Sequence, residues 1–389
     1  MEKMHEYGRS ILETLNDKGF EAYFVGGYVR DYLLGIQTKD IDITTNAKIN
    51  DIKNIFDRVI VTGEKFGTVT VLIHHQPFEV TTYRTETTYS NYRHPDRVSH
   101  TNSLKEDLAR RDFTINQLVM DKDSNIKDYF NGRQDLENKI IRTINNPNDR
   151  FEEDALRMLR AFRFSAKLNF SIEANTLDAI QNKRLLLTHI PIERIQHELI
   201  ELFDYKHSQK ALTYMKETSF NDALGPLEKG LNALADVDIE YTHKEALTFL
   251  VYYDYTVLDI LKLSNILKSE IKTMLSIHQQ TKHARFQPEH LFSYKKPLCL
   301  RANTVNKMLG YIDQQERINT LYKSLPITSM KDLAFKGEDI LKTLKPKNKR
   351  HIRLVIDHLL YRVLHQSLPN EKDALKDAAE AFLNELESE

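Results

Sequence analysis

The apolar positions of this 389-residue chain change period once. Up to about residue 145, short alternating or continuous apolar runs are separated by turn residues; beyond it, the 3.6-residue period of amphipathic helices dominates. Ile11, Leu12 and Leu15 recur at helical spacing over residues 5–16, with Gly19 placed as a stop. Residues 21–25 read as a buried strand, and 28–34 as a short helix closed by Gly35. After a helix at 49–56 come strands at 59–61, 68–74 and 78–84, with a turn at 63–67 and a break at Gln76 and Pro77. A helix at 104–110, a hairpin over 119–129 and a strand at 140–144 complete this part. Residues 85–101 are polar and aromatic without clear periodicity, a loop long enough to carry function. Farther on, residues 152–164 read as one continuous helix, with Leu156, Leu159 and Phe162 on its buried stripe. The pattern predicts an α+β protein: a mixed sheet up to about residue 140, then an all-α remainder.

Composition changes this picture little. Charged residues make up 29% and the net charge is −1, so any nucleic-acid site must come from local clustering rather than a global basic field. The densest positive run, residues 345–353, suits either a solvated helix start or a contact with a phosphate backbone. A lone cysteine, Cys299, excludes an intramolecular disulfide and a cysteine-built zinc site. No apolar run reaches membrane-spanning length and the first residues carry no apolar signal core, so a cytoplasmic protein without membrane contact is expected.

The candidate chemistry starts at Gly26 and Gly27, which end the 21–25 strand and open the next helix. Such a turn lets backbone N–H groups approach a phosphate. In an extended strand residues i and i+2 point the same way, so Asp40 and Asp42 present two carboxylates on one face while Ile41 and Ile43 face the core. Paired carboxylates repel unless a cation sits between them, and hard oxygen ligands suit Mg²⁺. The combination points to nucleotidyl transfer with two Mg²⁺ ions; a solvated Asp-x-Asp beside an ordinary turn is the bland alternative. Glu79, on a strand with Thr81 and Tyr83 on the same face, is a candidate third carboxylate.

Asp154 and Arg157 are three apart on the 152–164 helix and would lie side by side on its surface. A carboxylate accepts from an exocyclic amine and a guanidinium donates to a ring nitrogen or carbonyl, so the pair complements cytosine and adenine but not uracil or guanine. A plain surface ion pair has the same spacing. Arg160 is a neighbour of that site, whereas Arg163, three further on, would point about half a turn away from Asp154.

Taken together these segments resemble a known family. Residues 26–31, the Asp40 and Asp42 pair, residues 110–116 and residues 153–164 look like the ordered motifs of class II tRNA nucleotidyltransferases, the CCA-adding enzymes and their poly(A) polymerase relatives. Asp128, Gly132 and Asp135 resemble the family's hinge motif, and residues 191–195 with Glu198 its fifth. Residues 325–327, 332–334 and 337–339 look like the tail of the bacterial CCA-adding type. The resemblance implies a seahorse-shaped protein: a polymerase-β-like catalytic head at 1–140, a helical neck with base recognition at 141–205, a body at 206–300 and a tRNA-binding tail at 301–389. It implies that Asp40 and Asp42 hold the Mg²⁺ ions. Gly26, Gly27 and Arg30 would meet the triphosphate, Arg111, Asp112 and Asn116 the sugar-phosphate region, and Asp154 and Arg157 the base. By the same resemblance Arg160 and Arg163 complete the pocket, which supports Arg163 where helix geometry does not. It implies sequential use of CTP and ATP on the acceptor end of tRNA, gripped also at its elbow, with the 85–101 loop at the place of the family's specificity switch. Gln117 stands where the family usually has alanine. An enzyme adding only A, a poly(A) polymerase and a catalytically silent tRNA-binding module are the alternatives. Oligomeric state stays open, a homodimer included.

Overall fold

The computed structural model describes residues 2–38, 40–63, 67–87 and 97–388. The chain divides into two compact units, 1–240 with 259–262, and 241–258 with 263–389.

The first unit is built on a seven-stranded sheet, in the order β3-β4-β5-β2-β1-β8-β9. Its strands are β1 (Ala22–Val25), β2 (Asp42–Thr45), β3 (Val59–Gly63), β4 (Thr68–Ile73), β5 (Gln76–Thr82), β8 (Val119–Met120) and β9 (Ile126–Lys127). The sheet is mixed: β2 runs parallel to β5 and antiparallel to β1. Register aligns Val25 with Asp42 and Asp42 with Glu79, so these three side chains leave the same face of three adjacent strands. On that face Tyr23, Val25, Tyr83 and Val119 pack with Leu104 and Leu108 of α4 (Leu104–Ala109). Phe24 and Ile43 leave the opposite face, against α1 (Glu2–Asp17), where Gly8 comes so close to Phe24 and Ile41 that a Cβ there would clash with the phenyl ring. The periodic residues of α1, Ile11, Leu12 and Leu15, are fully buried.

Two differences from the sequence expectation concern the head. The 85–101 segment is not loop throughout: β6 (Arg84–Thr87) and β7 (Arg97–His100) pair as an antiparallel hairpin, while residues 88–96 of the expected loop lie outside the described residues. Asp40 precedes β2 rather than lying in it, because the ladder begins at Asp42.

Helices dominate the rest, as expected, with one short exception. The two-residue strand β11 (Ser171–Ile172) pairs parallel with β10 (Ile140–Ile141) and ties the helical part back to the head. The expected helix over 152–164 is two helices, α6 (Pro147–Glu153) and α7 (Leu156–Leu168), broken at Asp154 with φ −142° and ψ 102°. Asn146 caps α6 ahead of Pro147, and Asn169 ends α7 in the left-handed region. In the second unit, helices such as Asn265–Thr281 and Pro288–Met308 lead to a terminal cluster in which Phe335, Val355, Leu359 and Leu375 are buried together.

Gln117 is 1% exposed, and both its amide oxygen and nitrogen lack hydrogen-bond partners among the described residues. An unsatisfied buried polar group costs roughly 1–3 kcal/mol. Replacing it with methionine, of similar shape, is expected to raise the unfolding free energy by about 1 kcal/mol, read from the urea midpoint at unchanged slope.

Candidate active site

Asp40, Asp42 and Glu79 line one cavity of about 800 Å³ at the end of the sheet, together with Thr38, Thr70 and Gln76. Asp40 is exposed and Asp42 half-buried. Burial pushes the Asp42 carboxyl above the usual carboxylate range; Glu79 and Asp40 push the same way, and Arg111 opposes them. A carboxyl so placed gains from a nearby cation. Among the described residues no three His, Cys, Asp or Glu side chains converge closely enough to hold a metal by themselves. The donor set nevertheless fits a hard divalent ion, which takes one or two carboxylates and completes its shell with water and phosphate oxygens.

The glycine turn stands beside these carboxylates. Gly26 has φ 72° and ψ −135°, conformations that a side chain would strain, and precedes α2 (Gly27–Leu33). A Cβ on Gly26 would lie 3.2 Å from Arg111 Nη1 and 3.8 Å from Asp42 Oδ2, so turn, guanidinium and carboxylate meet at one point. Gly27 approaches Arg30 in the same way. Arg111 is held by Asp107, a buried carboxylate of α4 that also takes hydrogen bonds from Arg110 and from the Arg84 backbone N–H at the base of the β6–β7 hairpin. Asp107 was not among the residues expected from sequence, though its spacing of three and four from Arg110 and Arg111 on a helix is the signal that finds it.

Arg30 is 2% exposed, donating to Asp31 at 2.7 Å and to Asn116 Oδ1 at 2.6 Å. It therefore fixes Asn116, which donates in turn to Asp112 at 3.0 Å. Asp112 also receives Arg160 Nε at 2.9 Å and Nη2 at 2.6 Å, and these donors hold its carboxyl far below the usual range. Under this network lies Gly132, at the start of α5 (Gly132–Glu137), with Asp128 accepting from its N–H and Asp135 accepting from Thr114.

At the α6–α7 break, Asp154 Oδ1 accepts from the Leu156 N–H at 3.1 Å, capping α7 instead of continuing the helix. The expected side-by-side pair with Arg157 is not formed. Arg157 is buried and uses three N–H groups on the carbonyls of Arg150 and Arg110 and on Glu153, leaving two of its five. The cation beside Asp154 is Arg194 of α9 (Ile192–Asp204), at 3.6 Å. Arg163 does not point away from the site's framework either. It pairs with Glu198, which Arg160 also approaches at 3.6 Å, and both guanidiniums, with that of Arg30, lie within 5.4 Å of the Phe164 ring centroid. Asp154 is not part of the helix that carries Arg163, and the partner of Arg163 is Glu198 rather than Asp154. Arg194 and Glu198 entered the sequence reading only as members of a resembling motif.

The chain is 37% identical over 390 residues to the CCA-adding enzyme of Ligilactobacillus salivarius (strain UCC118), covering 96% of each. This chain belongs to the CCA-adding enzymes. A family model described as the Poly A polymerase head domain matches residues 22–142, and one for tRNA nucleotidyltransferase domain 2 matches 242–379. The Bacillus stearothermophilus CCA-adding enzyme, solved in complex with CTP, superposes with a TM-score of 0.85 at 32% identity, over 100% of this chain and 98% of that one. A tRNA nucleotidyltransferase complexed with a primer tRNA and an incoming ATP analog matches with a TM-score of 0.63 at 25% identity, over 80% of this chain and 97% of that one. As in other CCA-adding enzymes of known structure, a mixed-sheet head is followed by helices. Among the described residues no helix is long and apolar enough to cross a membrane.

Proposed function

We infer that this chain builds and repairs the 3′-terminal CCA of tRNA, adding C, C and A in turn from CTP and ATP without a template and releasing pyrophosphate. The observation that carries the reading is the convergence of the Gly26 turn, Arg111 and Asp42, in register with Glu79, in a member of the CCA-adding enzymes. The relatives bound to CTP, and to primer tRNA with an ATP analog, supply the substrate classes.

Asp40 and Asp42 would hold two Mg²⁺ ions, with Glu79 as the neighbouring carboxylate. Ions held there would supply Lewis-acid chemistry, lowering the pKa of the attacking 3′-hydroxyl and offsetting charge on the departing pyrophosphate. The chain's own residues do the positioning. Gly26 and Gly27 leave room for the triphosphate, Arg111 faces its charge, and Arg30 acts through Asn116 and Asp112. Asp154 accepts from the exocyclic amine of cytosine or adenine, and the remaining N–H groups of Arg157 donate to the ring acceptor beside it. Arg160 and Arg163, clamped on Glu198, hold that side of the pocket in shape. We assign 1–140 to catalysis, 141–205 to base recognition, and 206–300 and 301–389 to gripping tRNA, in the cytoplasm; the single cysteine is buried and suits a reducing compartment. The full length of the 85–101 segment favours CCA addition over addition of A alone.

A single-nucleotide-resolution gel of a tRNA transcript lacking CCA tests this. Two additions with Mg²⁺ and CTP, and three with CTP and ATP together, are expected. Extension only by A, and only of a tRNA ending in CC, would move the assignment to an A-adding enzyme; binding without extension would indicate a silent module.

A further inference from the structure

Asp154 gives one oxygen to the fold and keeps the other. Oδ1 is taken by the Leu156 N–H, while Oδ2 faces Arg194 Nη2 at 3.6 Å, close enough for charge attraction and too far for a hydrogen bond. Oδ2 thus keeps its lone pairs for an incoming donor. Arg194 Nη1 is buried without a hydrogen-bond partner, and Asp154 is the one carboxylate Arg194 pairs with among the described residues. The other charges around Asp154 are committed elsewhere. On α7, Arg157 serves backbone carbonyls and Glu153, and Arg160 serves Asp112; on α6, Glu153 is taken by Arg150 and Arg157.

The protonation state of this carboxyl decides which bases it fits. Ionised, it only accepts, matching the amine of cytosine or adenine. Protonated, its Oδ2 turns from acceptor to donor, the complement of O4 in uracil and of O6 in guanine. A neutral Asp154 would therefore read the wrong pair of nucleotides.

We propose that Arg194 is a specificity-determining residue: its charge keeps the Asp154 carboxyl in the acceptor-only form and so excludes UTP and GTP. The inference rests on Asp154 as the base-facing group. Burial pushes Asp154 toward the protonated form, and Arg194 is the foremost opposing charge, ahead of Arg157 and Arg160. Without it, the carboxyl titrates at higher pH, and the protonated fraction grows as pH falls.

The test is the ratio of kcat/KM for UTP against CTP on tRNA lacking CCA, measured with the full chain from pH 5.5 to 8.5. Arg194→Met is expected to raise the ratio about tenfold for each unit by which the titration moves, with the ratio climbing as pH falls in both proteins, while Arg194→Lys stays near wild type. If the methionine variant does not fold, Arg194→Gln, which keeps length and polarity and removes only the charge, carries the same expectation. Asp154→Asn, a permanent donor and acceptor, should give a high ratio independent of pH. A ratio unchanged by removing the Arg194 charge, or raised but no longer rising as pH falls, overturns the role of Arg194, while a raised ratio in Asp154→Asn keeps base reading intact. An unchanged ratio in Asp154→Asn overturns base reading by Asp154 itself.

Discussion

Asp42→Ala is expected to abolish nucleotide incorporation, by a factor on the order of 10³ or more, while tRNA binding stays within about twofold of wild type. The separation of the two readouts follows from position. Asp42 stands at the open end of β2 beside Glu79 and Gly26, and no hydrogen bond to its side chain holds the fold among the described residues. Its stability contribution has the opposite sign from its catalytic one. Burial and the Glu79 and Asp40 charges raise its folded-state pKa, so the protein is most stable with Asp42 protonated and loses that contribution as pH climbs from the ordinary carboxylate value through the raised one. At pH 7 Asp42→Asn should therefore melt no lower than wild type, and higher if the repulsion is relieved. Activity above a tenth of wild type in either variant would remove Asp42 from the metal-holding role; a lowered melting temperature would mean that its charge stabilises the fold.

The sheet head and the helical remainder were legible because both depend on period. Alternating strands and the apolar stripe of α1 are read directly from residue spacing, and the fully buried Ile11, Leu12 and Leu15 answer to that spacing. The placement of Asp42 with Glu79 was half legible: alternation gives the face of each strand, but only the parallel register brings the two side by side. The break at Asp154 was not legible. Residues 152–164 contain no glycine or proline, and every position suits a helix. The break forms because Asp154 caps Leu156 while Arg157 reaches the carbonyls of Arg110 and Arg150, the former forty-seven positions away in sequence. Tertiary hydrogen bonds of that reach leave no local pattern. The β6–β7 hairpin escaped for a similar reason, since Val98 is the one apolar residue in its two strands and its base is anchored through the buried Asp107.

Gly132→Ala is expected to be the most damaging substitution away from the cavity. A Cβ there would lie 2.2 Å from the Thr114 carbonyl oxygen and 2.9 Å from its carbon, distances that no side-chain rotation relieves. The α5 start and the 3₁₀ turn Thr114–Asn116 must separate, against the bonds that join them, Thr114 to Asp135 and the Gly132 N–H to Asp128. Overpacking of this kind costs about 1–3 kcal/mol, and more where backbone meets backbone. Its functional reach is greater, because the same turn carries Asn116, the link between Arg30 and Asp112, and through Asp112 the anchor of Arg160. Displacing it disturbs a chain of charge-assisted bonds that no single contact replaces. The expected result is a melting temperature lowered by several degrees with kcat for CTP reduced at least tenfold, and a smaller loss in affinity for tRNA. Wild-type kcat in a destabilised Gly132→Ala would mean that the turn tolerates displacement and that Asn116 is not required where it stands.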